Sequence, residues 1–308
     1  MSVGPNSVHL VVNPVSGIGR SRRFVEALTR RLRDGGFAVQ TTRTSGPGEA
    51  RLLGRDSCGG GCRALVVVGG DGTVNEVIQG LCGDGVPILA VPAGTENILA
   101  KYLGIVADVD WLCDVVRRGR DVRFDIAEMN DRRFLLVAGV GFDAEVVRRL
   151  VCQRRGHISR ANYFWPIWRT FLGYRQPILH VEADGKLLHV GPGLAFVGNI
   201  PRYAIDLRIL QRAKPDDRLL DVCVFPCTWQ GPLVRHAVNV LLRRHIGRNG
   251  VVYRQARHVR VWSEQRMGIQ LDGEWAGFGP AEFQVSGVTA RFLVSSQWDS
   301  GRSSTETI

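Results

Sequence analysis

Residues 66–77, which read VVVGGDGTVNEV, constrain the fold of this chain more than any other stretch. Three consecutive valines lead into a glycine-rich turn at residues 69–73, and apolar residues then recur at helical spacing from Val74 to Leu81. The pattern predicts a buried strand, a tight turn and the start of a helix. The stretch therefore forms one strand-turn-helix unit.

The glycine-rich turn has the composition of a phosphate-binding loop. Three glycines within four residues allow backbone N–H groups to approach an anion closely, and the following helix adds its positive end. Asp71 is a candidate partner for a metal ion or a ribose hydroxyl, while Thr73 and Asn75 offer neutral hydrogen bonds. Taken alone, the same glycine cluster also fits an ordinary turn.

Two further segments have the same organisation. Residues 13–17 and residues 94–97 each place small polar residues directly after an apolar strand pattern. We call residues 13–17, 69–73 and 94–97 the first, second and third turns. Because the ends of parallel strands meet at one edge of a sheet, we expect the three turns to line one crevice.

The bulk composition is that of an ordinary globular protein large enough for two domains. The chain has 308 residues, of which 44% are hydrophobic and 22% charged. No apolar run approaches the roughly 20 residues of a membrane span, and the N-terminus lacks a signal-peptide pattern. We therefore expect a soluble cytoplasmic protein.

The charge balance favours polyanionic partners. Forty Lys and Arg residues against 29 Asp and Glu residues give a net charge of +11, and nearly all the basic residues are arginine. Nucleotide phosphates, anionic membranes and nucleic acid would all suit this balance, although a coding bias toward arginine explains it equally well. Seven cysteines, an odd number, favour free thiols over a disulfide framework.

The predicted secondary-structure pattern changes near Arg120. Before that point strand and helix patterns alternate, which predicts a parallel sheet with helices on both faces. After it, short strand patterns follow one another, among them residues 186–190, 194–198, 282–285 and 290–294, which predicts a sandwich of two sheets. Two helical insertions interrupt the strands, at residues 143–172 and 232–245.

The order of the three turns, followed far downstream by Leu271-Asp272-Gly273-Glu274, resembles the diacylglycerol kinase and sphingosine kinase superfamily of lipid kinases, in its bacterial soluble branch. The resemblance implies an α/β nucleotide-binding domain with a parallel sheet over residues 1–127. It also implies a mainly-β sandwich domain over residues 128–296 and an active site in the cleft between the domains. Residues 297–308 are polar and are expected to be a disordered tail.

The resemblance further implies an ATP- and Mg²⁺-dependent kinase. Such an enzyme transfers the γ-phosphate of ATP to a hydroxyl of a diacylglycerol-like or sphingoid lipid. Glu274 is then the proton acceptor, Asp272 lies beside it on the metal or the hydroxyl, and Asp71 is a third catalytic carboxylate. The nucleotide-binding residues that the resemblance implies are Asn13, Pro14, Ser16, Gly17, Thr44, Gly69, Gly70, Asp71, Gly72, Thr73, Asn75, Gly94, Thr95 and Asn97.

A structural Mg²⁺ site is also implied. Residues 214–222 resemble the segment that binds this ion in bacterial relatives, which maps to the Asp217 side chain and the carbonyl groups of Lys214 and Leu219. Asp125 is expected to join a network of carboxylates and water that reaches Mg²⁺. Arg218 stands where a glycine is usual, which is a departure from the family pattern.

The lipid side of the reaction has weaker signals. Residues 148–174 place arginines before aromatic residues, which suits either a membrane interface or an ordinary helix with a buried aromatic face. Residues 235–248 form a second basic helix, for which a solvated face is the simpler interpretation. Asp143 joins the carboxylates near Mg²⁺ or forms a helix N-cap.

These patterns predict a lipid substrate and peripheral contact with an anionic membrane surface, and they leave a homodimer open. No zinc finger or other nucleic-acid motif is present, so a nucleic-acid partner is not expected. Two alternatives remain open, a non-catalytic nucleotide-binding or membrane-docking module and a kinase with a non-lipid acceptor, such as an NAD kinase.

Overall fold

The computed structural model of the protein describes residues 4–17, 21–83, 85–152 and 164–299. The chain divides into two compact units. Unit 1 comprises Met1–Phe124 and Val288–Ile308, and unit 2 comprises Asp125–Gly287. Unit 1 is therefore discontinuous in sequence.

Helices alternate with strands in the first part of the chain and become sparse after it. The α-helices of the described residues are α1 (Ser21–Asp34), α2 (Glu49–Asp56), α3 (Asp71–Gly80), α4 (Ile98–Tyr102), α5 (Val109–Arg118), α6 (Phe142–Cys152), α7 (Phe164–Gly173) and α8 (Gln230–Leu241). The strands are β1 (Ser7–Val12), β2 (Ala38–Arg43), β3 (Ala64–Gly69), β4 (Ile88–Pro92), β5 (Arg120–Met129), β6 (Arg132–Phe134), β7 (Val137–Val140), β8 (Ile178–Ala183), β9 (Lys186–Gly198), β10 (Arg202–Tyr203), β11 (Leu207–Arg208), β12 (Leu220–Pro226), β13 (Val252–Ala256), β14 (His258–Trp262), β15 (Gly268–Leu271), β16 (Glu274–Phe278) and β17 (Ala281–Val294).

Unit 1 contains the predicted parallel sheet. β1 pairs in parallel with β2 on one side and β3 on the other, and β3 pairs with β4. The second half of β17 continues the sheet, pairing in parallel with β4 where Phe292 lies opposite Ile88. Every residue of β3 is buried, as expected of a central parallel strand, whereas β2 is an edge strand and is largely exposed.

The strand registers place three strand ends at one edge of this sheet. Val12 at the end of β1 lies opposite Val68 of β3, and Val68 lies opposite Val91 of β4. The first, second and third turns follow these strands directly. They therefore leave the sheet at the same level, where open α/β sheets bind ligands.

The expectation of free thiols is wrong for one pair of cysteines. Cys58 and Cys82 form a disulfide, with Cα atoms 5.8 Å apart. Cys58 follows α2 and Cys82 follows α3, and these two helices pack so closely that a Cβ atom added at Gly54 or Gly80 would collide with the other helix. Helix packing brings the two thiols together, and an odd cysteine count carries no information about it.

Unit 2 is built from two antiparallel layers that share one strand. The first part of β9 pairs with β8, and its second part pairs with β7 and β12. β8 continues through β14 to the first half of β17, while β7 continues through β15 to β16. The segments 186–190 and 194–198, predicted as two strands, are thus the single strand β9. Its extended backbone runs on through residues 191–193 as the strand passes between layers.

The core of unit 2 lies between its layers. Alternate residues point inward, among them Val181 of β8, Val259 of β14, Val197 of β9 and Val222 of β12, and all four are fully buried. The rings of Phe134 and Phe283 meet edge to face, with centroids 6.1 Å apart. The predicted fold class, a parallel α/β region followed by a β-sandwich, is confirmed.

The two compact units divide the chain differently from the predicted boundary at residues 127 and 128. The first boundary falls between Phe124 and Asp125, and residues from Val288 onward belong to unit 1. β17 is the physical reason, because it is one long strand whose second half extends the parallel sheet. Segments 282–285 and 290–294, predicted as separate strands, are both parts of it.

The structure also bears on two further predictions, the disordered tail and the basic and aromatic stretch. The predicted start of the disordered tail, residue 297, is too early, because Trp298 packs on Tyr102 within unit 1. Much of the basic and aromatic stretch at residues 148–174 lies outside the described residues.

No helix in the described part of the chain is both long and apolar enough to cross a membrane.

We expect Trp298→Ala to lower the free energy of unfolding by about 1–3 kcal/mol, because the ring contributes packing and a hydrogen bond. Its centroid lies 6.3 Å from that of Tyr102, and its Nε1 donates to the Tyr102 carbonyl oxygen at 3.3 Å. Urea denaturation measures the change. Trp229→Ala, at a tryptophan that is 64% exposed, is the matched control. Equal stability of the two variants would contradict the packed position of Trp298.

Candidate active site

The first and second turns are joined by a side-chain hydrogen bond. Asn13 Nδ2 donates to Thr73 Oγ1 at 2.9 Å, and Asn13 Oδ1 accepts from the backbone N–H of Val15 at 3.1 Å. Both ends of the Asn13 amide are therefore occupied in fixing the loops. The amide sets the position of the first turn relative to the N-terminus of α3.

The second and third turns touch through their backbones. A Cβ atom added at Gly94 would lie 2.7 Å from the Cα of Gly70, so a side chain at either position would push the turns apart. Asn97, in the left-handed conformation at φ 50°, closes the third turn. Its Oδ1 accepts from the N–H of Gly94, and its Nδ2 donates to the Gly94 carbonyl oxygen, each at 2.7 Å.

Asp71 is held by the helix that follows the third turn. Its Oδ2 accepts from the N–H of Ile98 at 2.8 Å and its Oδ1 from the N–H of Leu99 at 3.0 Å. These N–H groups belong to the first turn of α4, which has no carbonyl partner for them. Burial raises the pKa of Asp71, and the two amide hydrogen bonds oppose that shift.

The other predicted nucleotide-binding residues of unit 1 surround these contacts. Thr44 follows β2 and is buried, with its Oγ1 3.4 Å from the Val12 carbonyl oxygen to which it donates. Asn75 lies inside α3 and accepts a hydrogen bond from Gln79, so its amide is turned along the helix. The remaining predicted positions lie in the three turns or at the start of α3; they are Pro14, Ser16, Gly17, Gly69, Gly72 and Thr95.

Asp272 in unit 2 accepts hydrogen bonds from three successive backbone amides. Oδ2 accepts from Leu135 at 2.8 Å, and Oδ1 accepts from Leu136 at 2.8 Å and Val137 at 3.0 Å. Asp272 and Gly273 both have positive φ angles and form the two-residue connection between β15 and β16. We call residues 272–274 the acidic turn. Asp272 ties this turn to the segment that enters β7.

Glu274 projects from the acidic turn with its carboxylate partly open to solvent. Its side chain is 46% exposed, and Oε2 lies 3.1 Å from Nη2 of Arg132. The Arg132 guanidinium also donates to the Trp275 carbonyl oxygen at 3.4 Å. Arg132 thus orients the carboxylate without enclosing it, and no motif or spacing in the sequence indicated this partner.

A buried polar group lies behind the acidic turn. Gln270 Oε1 accepts from the N–H of Gly273 at 2.7 Å, and its Nε2 donates to Asp143 Oδ2 at 2.9 Å. The Tyr203 hydroxyl lies 2.8 Å from both oxygens of Asp143 and donates to them. Asp143 is the second residue of α6, and its carboxylate bonds these side chains rather than capping the helix. The N-cap interpretation is therefore wrong.

Burial of this group raises the pKa of Asp143 to about 6, although the hydrogen bonds from Tyr203 and Gln270 favour the ionised form. Among the described residues, no arginine or lysine forms an ion pair with this carboxylate, whose contacts are to Tyr203 and Gln270. Asp143 is recognisable from its sequence motif, whereas Tyr203 and Gln270 are not. Their only sequence signal is a polar residue within an apolar strand pattern, as at Gln270.

The predicted metal segment contains an internal cation. The Arg218 guanidinium lies against Asp125, with Nε 3.2 Å from Oδ1, and the Arg218 backbone N–H donates to Oδ2 at 2.7 Å. The Asp125 side chain is only 4% exposed, so its charge needs a partner. Burial raises the pKa of Asp125, and Arg218 opposes the shift.

Asp217, the predicted metal ligand, is also engaged within the protein. Its Oδ1 accepts from the N–H of Leu219 at 3.0 Å, and its Oδ2 accepts from Gln255 Nε2 at 3.4 Å. The described residues contain no group of three His, Cys, Asp or Glu side chains arranged to hold a metal ion. Arg218 supplies a positive charge beside the buried Asp125 carboxylate, which disfavours a second cation in this segment. The Mg²⁺ site that the resemblance implies at Asp217, Lys214 and Leu219 stays a prediction.

Two family models match the chain. Residues 7–129 match the diacylglycerol kinase catalytic domain, and residues 136–293 match the YegS C-terminal NAD kinase beta sandwich-like domain. The chain belongs to the diacylglycerol kinase family. The resemblance that the turn motifs indicated is confirmed, and with it the general class of lipid kinase.

Two curated relatives of this diacylglycerol kinase family member are named diacylglycerol kinase. Diacylglycerol kinase of Bacillus subtilis (strain 168) is 27% identical over 285 residues, which cover 89% of this chain and 91% of that protein. Diacylglycerol kinase of Staphylococcus carnosus (strain TM300) is 25% identical over 277 residues, covering 89% and 90%. The crystal structure of a putative diacylglycerol kinase from Bacillus anthracis str. Sterne matches with a TM-score of 0.76 at 19% identity, covering 95% of this chain and 99% of that one. This structural likeness supports the fold.

We expect Asp143→Asn to remove a pH dependence of stability from this diacylglycerol kinase family member. Because the folded-state pKa of Asp143 is raised from 3.8 to about 6, its stabilising contribution is complete below the lower value and is lost as the pH rises through the higher one. The unfolding free energy of the wild type should therefore fall, relative to the variant, by up to about 3 kcal/mol over that range.

Urea denaturation at a series of pH values measures the difference. Asp56→Asn, at the exposed last residue of α2, is the control for removing a carboxylate at the surface. A flat curve for Asp143→Asn would show that the carboxylate is not held as the structure describes.

We expect Arg218→Gly to leave the buried Asp125 carboxylate unpaired and to lower the unfolding free energy by about 1–3 kcal/mol, a range discounted for the exposure of the arginine. Glycine tolerates the φ of 61° at this position, so backbone strain does not contribute to the loss. Thermal and urea unfolding in EDTA measure it. Arg218→Gly should lower the unfolding free energy by less in a protein that already carries Asp125→Asn, because no charged carboxylate is then left unpaired.

The same experiment in Mg²⁺ tests the metal segment. The wild type should unfold identically in MgCl₂ and in EDTA at matched ionic strength, whereas Arg218→Gly should gain a Mg²⁺-dependent increase in stability. Specific stabilisation of the wild type by Mg²⁺ without nucleotide would contradict the assignment of Arg218 as the resident cation.

Proposed function

We propose that this protein transfers the γ-phosphoryl group of ATP, bound as its Mg²⁺ complex, to a hydroxyl group of a diacylglycerol-like or sphingoid lipid. Family membership supports a lipid kinase, and the relatives named diacylglycerol kinase favour a diacylglycerol-like acceptor. The observation that carries the proposal is the convergence of three polar turns at the carboxyl edge of the unit 1 sheet.

The three turns are suited to a polyphosphate. Contact between Gly70 and Gly94 leaves no side chain between the second and third turns, so backbone groups are accessible to an anion. The N-terminus of α3 adds a partial positive charge at the same place. We assign nucleotide binding to these turns, with Asn13 and Thr73 holding the first turn in position.

In this proposal Glu274 is the proton acceptor. The lipid hydroxyl oxygen forms a bond to the γ-phosphorus while the bond from that phosphorus to the bridging oxygen of ADP breaks. The hydroxyl proton passes to the Glu274 carboxylate, and ADP leaves with the bonding electron pair. The partial exposure of Glu274 supports this role because the carboxylate remains accessible, with Arg132 fixing its direction.

The structure favours positioning roles for two carboxylates predicted to be catalytic. Asp71 accepts two amide hydrogen bonds from α4 and so fixes the helix that follows the third turn. Asp272 accepts three amide hydrogen bonds and so fixes the acidic turn from which Glu274 projects. We propose that both act by holding backbone in place.

The remaining parts of the proposal concern the setting of the reaction. ATP is a cytoplasmic substrate and the acceptor is a membrane lipid, so we propose that the protein works in the cytoplasm at the surface of an anionic membrane. The net charge of +11 supports that contact. A homodimer remains a prediction from the sequence.

We expect Glu274→Gln to lower kcat by about 100-fold or more while leaving ATP affinity unchanged, because the amide cannot accept the hydroxyl proton. Transfer from labelled ATP with Mg²⁺ is measured to diacylglycerol, monoacylglycerol, phosphatidylglycerol, sphingosine and ceramide in mixed micelles. Equilibrium dialysis gives the ATP affinity. Glu264→Gln, an exposed glutamate in the same unit, is the matched control and should retain full activity.

A wild type that binds ATP but phosphorylates none of these lipids would overturn the proposal. It would favour a non-lipid acceptor, as in an NAD kinase, or a nucleotide-binding module without catalysis. Full activity of Glu274→Gln would leave the lipid kinase standing but would exclude this residue as the proton acceptor.

A further inference from the structure

Helix α8 turns a row of aliphatic side chains away from the protein. They recur at intervals of three or four residues and so occupy one side of the helix. The row, which we call the α8 face, consists of Val234, Val238 and Leu241 of the helix and Leu242 at its C-cap, which are 49%, 48%, 70% and 54% exposed. An ordinary surface helix has the reverse arrangement, with its apolar side against the core.

The opposite side of α8 packs on unit 2. His236 and Val240 are buried, and His236 Nε2 lies 2.9 Å from the Pro226 carbonyl oxygen. Val238 follows His236 by two residues, which is about 200° around an α-helix. The α8 face therefore points almost directly away from the buried side, and exposed apolar clusters of this kind mark interaction surfaces.

Positive charge surrounds the α8 face. The segment of residues 222–263 contains seven arginines and no acidic residue. Four of the arginines lie on or just after α8 and are exposed; they are Arg235, Arg243, Arg244 and Arg248. Among the described residues, no ion pair joins any of these four to a carboxylate, whereas Arg148 and Arg149 of α6 both pair with Glu145.

We propose that the α8 face is the surface by which this protein docks on an anionic lipid bilayer. Its aliphatic side chains enter the interfacial region, and the surrounding arginines contact lipid phosphates. Arginine suits this position because its aliphatic stem lies along apolar surface while its guanidinium reaches the headgroups. The inference rests on the proposed function, since a kinase with a lipid acceptor must reach that acceptor in a membrane.

Two other partners for the α8 face, a second copy of the protein and a nucleic acid, fit the observations less well. Pairing of the α8 faces of two copies would bring arginine-rich, acid-free segments together, and that like-charge contact is unfavourable. A nucleic acid would be attracted to the arginines, but valine and leucine side chains offer neither stacking surfaces nor hydrogen bonds to its bases.

Sedimentation with vesicles tests the surface. The full-length protein should bind vesicles of equimolar phosphatidylglycerol and phosphatidylcholine but not vesicles of pure phosphatidylcholine, and added salt should weaken binding. Arg243→Gln with Arg244→Gln should lower the partition coefficient by about 30-fold. Val238→Asn with Leu241→Asn should lower it by at least about tenfold.

Matched variants keep the test specific. Leu187→Asn removes an aliphatic residue of β9 that is 54% exposed, and Arg23→Gln with Arg51→Gln removes two exposed arginines of unit 1. These controls should bind vesicles within about threefold of the wild type. All variants should phosphorylate a short-chain diacylglycerol dissolved as monomers at the wild-type rate, because that substrate requires no bilayer.

The outcomes separate the two proposals. Equal vesicle binding by the wild type and both α8 variants would overturn the α8 surface and leave the kinase standing. A dimeric wild type that the α8 variants convert to monomers would overturn it too, as would a nucleic acid that competes with vesicles only through α8. A third outcome is that the wild type does not phosphorylate the soluble lipid, while the α8 variants bind vesicles more weakly than the wild type does. The kinase proposal then fails and the α8 surface stands.

Discussion

Backbone amide groups hold the carboxylates on which both candidate catalytic regions depend. Asp272 accepts three amide hydrogen bonds and Asp71 accepts two, and in each case the donors lie far away in the sequence. A carboxylate can accept several N–H groups at once, so one side chain fixes two backbone segments. The turns are thereby rigid without bulky side chains, and their surfaces stay open to a ligand.

Local patterns predicted the elements that carry these turns. The valine run before Gly69, the glycine turn and the apolar spacing after it correspond to β3 and α3 as the structure has them. Hydrophobic periodicity is a local property, and these elements follow it. β9 and β17 were predicted in pieces because residues such as Pro192 and Gly287 normally interrupt strands. In this fold they lie where a strand passes from one sheet region to another.

The sequence identified the candidate site residues better than it identified their roles. Asp71 and Asp272 were recognisable from the turn motifs, but their amide partners depend on the tertiary fold. Arg132 meets Glu274 across 142 positions of the chain, so no spacing rule predicts the pair. Arg218 is the reverse case. Its departure from the usual glycine was visible in the sequence, and the structure gives the reason, since its guanidinium neutralises Asp125.

The division of β17 between the two units has a consequence for the order in which the chain can fold during synthesis. Unit 1 supplies β1 to β4 first, but the strand that pairs with β4 comes from residues after Val288. All of unit 2 must leave the ribosome before this edge of the parallel sheet is covered. Until then β4 has an open edge, and unit 1 acquires its complete set of backbone hydrogen bonds only when the final strand arrives.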